Sequence, residues 1–519
     1  MHFLSVLIFL LLCSVALGWL ARRAGLPYPI ALVVGGGAVG FVPGMPDLDF
    51  DPQVLLVIVL PPILYQAALL TSWRDFKANL RPIGMLAIGL VIVTTLAVGA
   101  TLKFFVPDLP WAAAFAFGAI VSPPDAVAAT AILSSMNMPR RIVTVLEGES
   151  LVNDASGLVI YKFAVAAVLT GVFSLTDATV QFGALAVGGV AIGIAVSWLF
   201  VRVHSILGDP FIEVLVSMLV PFVAYIVAEH VHTSGVLAVV AAGLFRGRFA
   251  PKMVSAEMRI LARSVWNIFV FLLNSLIFML IGMQLSLIVE RLAGYTAFEL
   301  TVWSAAVSAV AILVRIVWVY PATWLPRLLS RSLREREPAP SNRELFIESW
   351  CGMRGIVSLA AALALPVTVQ GGASFPHRDL IVFLTFVVIF VTLVGQGLSL
   401  APLIRRLKLT SDSSVADEER HARTEMGRAA LAAVERAARQ EGAAPEVVER
   451  VRAEFAERLA IAGAGASADA EEAVQAKRLR IAAIRAERTE LIRVWQENQI
   501  SDDVMHHLEE ELDYQESRL

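Results

Sequence analysis

Apolar runs about twenty residues long recur from the N-terminus to about residue 404, and they constrain the fold more than any other feature. A helix of that length matches the hydrocarbon thickness of a bilayer. The 519 residues are 57% hydrophobic and only 17% charged, too little polar surface for a soluble protein of this size. We predict an all-α polytopic membrane protein with about thirteen transmembrane helices, at residues 3–21, 28–43, 53–70, 82–106, 111–136, 142–169, 178–201, 211–229, 233–245, 265–289, 297–320, 345–366 and 379–403.

The basic residues predict the orientation of these spans. The first run is not typical of a signal peptide, because no basic residue precedes it and a pair of arginines follows it. Basic residues then gather in alternate loops, which the positive-inside rule assigns to the cytoplasm. We therefore expect a multi-pass protein of the bacterial inner membrane with its N-terminus outside and its C-terminus cytoplasmic. The basic groups are Arg22 and Arg23; Arg74, Lys77 and Arg81; Arg140 and Arg141; Arg246, Arg248 and Lys252; Arg327 to Arg343; and Arg405, Arg406 and Lys408.

Residues 411–519 differ in character from the rest of the chain. They are rich in Glu, Arg and Ala and contain no membrane-length apolar run, a pattern that predicts charged helices broken near Gly463. The sequence therefore predicts two domains, a transmembrane domain at 1–405 and a cytoplasmic helical tail at 411–519. Solvated helices explain the tail's composition, and a regulatory or dimerising role stays open.

Charge and cysteine content exclude several classes of function. The net charge of -3 gives no case for nucleic-acid binding. Cys13 and Cys351 lie in apolar surroundings without partner spacing, which argues against a disulfide framework and against a Cys-ligated metal. We expect no cofactor, and two buried thiols.

The fifth span contains a predicted break at membrane depth. Pro123 and Pro124 lack amide donors and clash with the preceding turn, so the helix should stop there. Irregular backbone inside a membrane is tolerated only where it lines a cavity or is buried in protein. Asp125 follows at the start of the resuming half-helix, where the dipole favours a carboxylate. It is a candidate site residue and also a candidate N-cap.

A second carboxylate lies at similar depth in the sixth span. Asp125 precedes Pro139 by fourteen residues, and Asp154 follows Arg140 by fourteen. Both therefore lie roughly 20 Å from the cytoplasmic turn, near the midplane. Burial and mutual repulsion both favour proton uptake by one of them. Two such carboxylates beside a broken helix can form a cation site open to protons, with Asn153 as a neutral neighbour.

Glu149 needs a cationic partner, because an isolated buried carboxylate is costly. Arg315, in the apolar eleventh span, is the candidate for a structural ion pair with it. Arg315 lies too deep to snorkel easily to the interface. Lys162 is a further intramembrane charge, for which only outward snorkelling is expected.

A second break is predicted in the twelfth span. Gly352 and Gly355 loosen the helix on either side of Arg354, which brings positive charge to the break; close helix packing is the alternative explanation for these glycines. The fifth and twelfth spans are seven apart, so they run in opposite directions, as inverted repeats require. Paired broken helices in corresponding positions indicate a transporter's binding site.

Four segments together are typical of one family: Glu149-Ser-Leu-Val-Asn153-Asp154, Ser122-Pro-Pro-Asp125, Ser234-Gly-Val-Leu-Ala-Val239 and Gly352-Met-Arg-Gly355. In these segments the chain resembles the monovalent cation:proton antiporter-1 family, which holds the bacterial NhaP-type antiporters and the eukaryotic sodium/proton exchangers. The resemblance covers about residues 5–405 and excludes the tail.

The resemblance implies a homodimer that exchanges sodium, potassium or lithium for protons, usually electroneutrally, in the service of pH and cation homeostasis. A mobile core with two crossed, partly unwound helices would move in an elevator-like manner. Asp154 would be the carboxylate that is alternately protonated and cation-bound, with Asn153 beside it. Asp125, and a side-chain oxygen of Ser150, would support the site. Glu149 and Arg315 would form the structural ion pair, and no metal beyond the transported cation is implied.

Two positions depart from the family pattern. Pro124 stands where several relatives have Thr or a small residue, which leaves only its backbone carbonyl to coordinate a cation. Gln66 stands where relatives often have an acidic residue, and this removes one outer ligand.

Two other classes deserve comparison. An intramembrane aspartyl protease also needs two membrane Asp residues at matching depth, but Asp125 and Asp154 lack the Tyr-Asp and Gly-x-Gly-Asp contexts of such enzymes. A cation channel usually builds its filter from repeated backbone carbonyls or charged rings. The chain instead has one titratable pair between broken helices, so antiport is the leading hypothesis and an enzyme is not expected. Oxygen ligands suit sodium, potassium, lithium and rubidium alike.

Overall fold

The computed structural model describes residues 2–42, 52–133, 136, 138–172, 175–253, 256–290, 292, 294–336, 340–369, 372–409, 413–441, 443–463, 468–497, 499 and 502–517. In these ranges the chain is helical apart from short connections, and extended pairing is limited to an isolated bridge between Thr368 and Ser374. The prediction of an all-α protein is confirmed. The chain divides into two compact units, Met1–Ser411 and Asp412–Leu519.

The first unit begins with helices that include the predicted break in the fifth span. In chain order they are α1 His2–Ala24, α2 Tyr28–Gly40, α3 Pro52–Leu70, α4 Trp73–Ala78, α5 Leu80–Gly84, a π-helical segment Met85–Leu90, α6 Val91–Phe105, α7 Trp111–Val121, α8 Ala126–Leu133, α9 Arg140–Thr170 and α10 Leu175–Leu207.

The rest of the first unit contains the second break, between α16 and α17. Its elements are α11 Pro210–His230, α12 Gly235–Met253, α13 Ala256–Glu290, α14 Ala297–Leu329, α15 Arg331–Arg336, α16 Asn342–Trp350, α17 Ile356–Leu363, α18 Arg378–Phe390, a π-helical segment Val391–Gln396 and α19 Gly397–Leu407.

Within the described ranges, eight helical stretches are long and apolar enough to cross a membrane. They match the fourth to eighth, tenth, eleventh and thirteenth predicted spans, and the stretch that matches the fifth predicted span, Trp111–Leu133, runs through the break between α7 and α8. The other predicted spans fall on the helices α1, α2, α3 and α12 and on the broken pair α16 and α17. The total of thirteen stays a prediction. The eight stretches are Leu80–Phe105, Trp111–Leu133, Arg140–Thr170, Thr179–His204, Pro210–His230, Met258–Ser286, Ala297–Leu329 and Arg378–Leu407.

Small residues allow the long helices to approach closely. The α2 and α13 backbones meet where Gly36 lies against the Met279 carbonyl and Gly282 lies against Val33. A Cβ at either glycine would overlap backbone atoms of the other helix. Helices in lipid gain little from hydrophobic burial against one another, so their association depends on such close contact.

The first π-helical segment is hydrogen-bonded to α9, and the second is hydrogen-bonded to the break between α16 and α17. Ser156 of α9 donates its hydroxyl to the Ala87 carbonyl in the first segment. Thr392 of the second segment accepts the Arg354 amide at 3.1 Å. A π-helical turn leaves backbone groups out of register and is found frequently at functional sites.

The second unit consists of four charged helices within its described ranges. They are α20 Ser413–Glu441, α21 Pro445–Gly463, α22 Ala468–Gln496 and α23 Asp502–Ser517. Ion pairs one turn apart support them, for example Arg493 with Glu497 at 2.6 Å. Arg488 joins α22 to α23 through Asp513 at 2.7 Å. The predicted break near Gly463 coincides with the end of α21, and residues 464–467 lie outside the described ranges.

Candidate functional site

The two helix breaks meet in the structure. The chain leaves α7 after Val121 and enters α8 at Ala126, with Pro123 and Pro124 between them. The amide of Asp125, next in the chain, donates a hydrogen bond to the Met353 carbonyl in the other break at 2.6 Å. The unwound segments therefore satisfy one another's backbone groups, which irregular backbone at this depth requires.

Asp125 lies at the N-terminal ends of both resuming half-helices. Its carboxylate accepts the Val127 amide of α8 at 2.8 Å and also the Ile356 amide of α17. Free amides and the helix dipole make both ends electropositive, so one carboxylate compensates two helix ends. A Cβ at Gly355 would overlap this carboxylate, which explains the glycine at that position. The N-cap role and a site role are compatible.

Arg354 compensates the opposite, electronegative ends of the broken helices. Its guanidinium donates to the Val121 carbonyl at the end of α7 at 3.0 Å, to the Ala311 carbonyl of α14 at 3.1 Å and to the Gly352 carbonyl. The side chain is fully buried. A cation is favourable at helix C-termini, so Arg354 stabilises the broken geometry from the side opposite Asp125.

Asp154 projects from α9 into a cavity of about 270 Å³ that Asp125 also lines. It is only 6% exposed, and no hydrogen bond or ion pair reaches its carboxylate from the described residues. The polar residues of the described lining are Asp125, Thr130, Glu147, Ser150, Asp154 and Ser358, and none of the described lining residues is Lys, Arg or His. A cavity with unneutralised carboxylates and hydroxyls suits a cation or a proton.

Of the remaining predicted ligands, Ser150 lines this cavity, whereas Asn153 and Pro124 are not among its described lining residues. Asn153 donates its side-chain amide to the Pro124 carbonyl at 3.0 Å, so α9 holds the unwound segment directly. The side-chain oxygen of Asn153, Oδ1, is buried and accepts no hydrogen bond from the described residues. Ser150 accepts the Ala126 amide at 3.3 Å and lines the cavity.

Glu149 and Arg315 form a buried ion pair on the other side of α9. Arg315 donates to both carboxylate oxygens of Glu149, at 2.7 Å for one of them, and to the Glu348 carbonyl at 3.1 Å. The Glu149 and Arg315 side chains are each 1% exposed. Bidentate geometry with full burial makes this a strongly coupled pair.

Three charged residues were missed or left unexplained by the sequence reasoning. Glu147 lines the same cavity as Asp154. Its spacing of seven residues from Asp154 indicates that the two side chains share one face of the helix. Glu348 is buried in α16 beside the ion pair, and nothing in the sequence predicts that position.

Lys162 forms an ion pair with Glu229 of α11, with 3.4 Å between the Lys162 nitrogen and the Glu229 carboxylate oxygen, and both side chains are partly exposed. Gln66, the other departure from the family pattern, donates to Asn267 at 3.0 Å.

Comparisons with known proteins agree with this geometry. Residues 7–406 match the family described as sodium/hydrogen exchanger, transmembrane. An uncharacterized Na⁺/H⁺ exchanger of Mycobacterium tuberculosis is 34% identical over 99% of this chain and 96% of its own length. The uncharacterized Na⁺/H⁺ exchanger YjcE of Escherichia coli is 32% identical over 100% and 98%.

One further relative and one solved structure are also similar to this chain. A sodium, potassium, lithium and rubidium/H⁺ antiporter of Bacillus subtilis is 33% identical over 76% of this chain and 60% of its own. The sodium proton antiporter MjNhaP1 of Methanocaldococcus jannaschii has the same fold, with a TM-score of 0.60 at 18% identity over 76% of this chain and 98% of its own. Family membership excludes the channel and protease alternatives, and the chain belongs to the transmembrane sodium/hydrogen exchanger family.

Proposed function

We propose that this protein exchanges sodium, or a related monovalent cation, for protons across the bacterial inner membrane, and that it serves pH and cation homeostasis. The proposal depends on one observation. Asp154 and Asp125 line a cavity whose described lining residues include no cationic side chain that would neutralise them. A buried carboxylate in that setting is stabilised either by a proton or by a cation, and the two occupants exclude each other.

Asp154 is the proposed carrier, because no hydrogen bond from the described residues commits its carboxylate to a structural role. Asp125 is held by two helix ends and supports the site as a second negative charge. Ser150 and the Pro124 carbonyl offer neutral oxygens, and Asn153 positions Pro124. Glu149, Arg315 and Arg354 are assigned to structure, because their charges are satisfied by one another and by backbone carbonyls.

We propose that the transported cation is one or more of a set of four monovalent cations. Carboxylate, hydroxyl and carbonyl oxygens bind sodium, lithium, potassium and rubidium alike, and selectivity depends on fine geometry and field strength. The Bacillus subtilis relative is named for all four. We therefore include each of them in the experiment below, with sodium first.

The proposed surroundings are a lipid bilayer and a second copy of the chain. Large apolar side chains stand exposed on α10, α11 and α13, among them Val187, Phe211 and Ile268. An aqueous surface does not tolerate so much apolar area, whereas lipid or a partner helix covers it at no such cost. The positive-inside rule supports an external N-terminus and a cytoplasmic C-terminus. Cross-linking in native membranes tests the homodimer.

The test of the proposed function is competition between protons and cations at one site. Protonation of Asp154 should weaken the apparent cation affinity, about tenfold per pH unit where the carboxylate is mostly protonated. At high pH turnover should fall, because the return step needs a proton. Exchange against pH should be bell-shaped, and a higher cation concentration should move its acidic limb to lower pH. Dequenching of a pH-sensitive dye in everted vesicles, with each cation in turn, measures this.

The control is the same series in vesicles without the protein. An acidic limb that does not move as the cation rises would mean that protons act at a separate regulatory site. Coupling between Asp125 and Asp154 would broaden both limbs without removing the shift.

We also propose that residues 1–405 form the exchange domain and residues 411–519 a cytoplasmic tail. Every group assigned to the site lies between Pro124 and Arg354, within the first compact unit. A chain that ends at Leu409 should therefore retain cation-driven proton flux within about threefold of the full-length chain, a change of less than 1 kcal/mol in activation free energy. Complete loss of exchange in a truncated chain that still reaches the membrane would contradict this division.

A further inference from the structure

Glu147 shares a helix face with the proposed carrier. Glu147 and Asp154 are seven residues apart on α9, a spacing that returns a helical side chain to nearly the same face after two turns. Ser150 lies between them on that face, whereas Glu149 points away to Arg315. At about 1.5 Å of rise per residue, Glu147 lies roughly 10 Å along the helix from Asp154, toward the end that begins at Arg140.

The lining of the cavity extends toward the same end. Its lining includes Glu147 and the C-terminal part of α3, where Leu70 is 64% exposed. Asp125 and Pro123 line it at the helix break. The lining therefore extends from Glu147, on the side of Arg140, to the two aspartates. Under the orientation proposed above, this end faces the cytoplasm.

Among the described residues, the structure shows no contact through which the Glu147 carboxylate stabilises the fold. It is half-buried, and no hydrogen bond or ion pair joins it to the described residues. Glu149, two residues away, shows the contrast, because both of its oxygens accept from Arg315. A half-buried acid that is left unneutralised on the wall of a cavity has an uncompensated negative potential, and a cavity wall of low dielectric constant focuses that potential.

We propose that Glu147 is a positioning residue that attracts the cation into the cytoplasmic mouth of the cavity without belonging to the set of groups that bind it. This rests on the proposed function. The backbone positions of Glu147 and Asp154 are two helical turns apart, a rise of roughly 10 Å, so Glu147 is assigned to the mouth of the cavity and not to the groups that bind the cation. The influence of Glu147 is therefore electrostatic. It should act on the cytoplasmic side and weaken with ionic strength.

The test is the apparent KM for sodium of Glu147→Gln, measured from each side of the membrane. Two unit charges about 10 Å apart, at effective dielectric constants between about 20 and 80, change an affinity by roughly two- to fifteenfold. We expect the KM to rise by that factor when sodium is added to the cytoplasmic face, in everted vesicles. It should change little in right-side-out vesicles, and maximal rates should be retained.

Ionic strength separates attraction from a structural role. Raising N-methylglucamine chloride from about 0.01 M to about 0.3 M shortens the screening length from roughly 30 Å to below 10 Å, so the difference in KM between Glu147→Gln and the wild type should shrink. Glu147→Asp should keep most of the wild-type KM. Adding Leu70→Glu to Glu147→Gln returns a carboxylate to the exposed end of the lining and should restore part of the loss.

The matched control is Glu335→Gln, which removes an acid from an exposed pair with Arg331, neither residue being part of the described cavity lining; its KM should equal that of the wild type. An unchanged KM in Glu147→Gln overturns the proposal, and so does an equal rise from both faces or a rise that salt does not reduce. If Glu147→Gln does not accumulate, Glu147→Asp and Leu70→Glu alone still test it, because Leu70→Glu should lower the cytoplasmic KM. Failure of the proposed function is a different result, in which the wild type itself shows no cation-driven proton flux.

Discussion

Asp154→Asn should reduce cation-driven proton flux to the level of vesicles without the protein. The amide keeps the size of the side chain, but it can neither bind a proton in the working pH range nor neutralise a cation. The Asp154 carboxylate makes no hydrogen bond to the described residues and is almost fully buried. The substitution therefore removes a buried charge without breaking a contact, and the folded protein should be at least as stable as the wild type. Dye dequenching across a pH series measures the flux.

The matched control for this substitution is Asp379→Asn. Asp379 is about half exposed at the start of α18 and lies 3.7 Å from Arg378, so the same chemical change there should leave exchange near the wild-type rate. Both variants should elute from a sizing column as the wild type does. Near-normal flux in Asp154→Asn would show that another carboxylate carries the proton, and Asp125→Asn would be the next variant to measure.

Most of the architecture could be predicted because each signal is local. Apolar length identifies membrane helices, and the eight long spans fall where the hydropathy predicts them. The two prolines end α7 and the paired glycines end α16 for reasons of backbone chemistry, which needs no knowledge of the neighbours. Equal distances from one cytoplasmic turn predict that Asp125 and Asp154 lie at the same depth, and both line one cavity.

What the sequence could not supply is the set of contacts between distant segments. Glu348 accepts Arg315 through its backbone carbonyl and is buried beside Glu149, yet its place in α16 resembles that of any residue near a helix end. The π-helical turn around Thr392 carries no pattern of its own. Lys162 reaches Glu229 from sixty-seven residues away, a pairing that the spacing of residues does not reveal.

The second large effect concerns the Glu149–Arg315 pair. Either Glu149→Gln or Arg315→Gln should destabilise the folded protein by about 3–5 kcal/mol, because each leaves one fully buried charge without its partner. Neutralising both should cost less than the sum of the single changes, with a coupling energy between about 0.5 and 3 kcal/mol. Denaturant titration in mixed micelles, followed by tryptophan fluorescence, measures the free energy of unfolding.

An exposed ion pair provides the control cycle. Arg331 and Glu335 are 3.0 Å apart, and their side chains are 90% and 64% exposed, so the coupling energy should be below about 1 kcal/mol. Strictly additive effects in the buried cycle would show that Glu149 and Arg315 do not interact in the membrane.

Glu348 makes the buried cycle asymmetric, and the asymmetry is a sharper test than the coupling itself. Arg315→Gln leaves two buried acids, Glu149 and Glu348, without the guanidinium that attracts both of them, whereas Glu149→Gln leaves Arg315 with the Glu348 backbone carbonyl and with the Glu348 side chain nearby. The arginine variant should therefore be the less stable of the two. Adding Glu348→Gln to Arg315→Gln should recover part of the loss, because it removes one of two like charges in a low-dielectric setting. Adding Glu348→Gln to Glu149→Gln should instead destabilise further, since Arg315 then has no acid beside it.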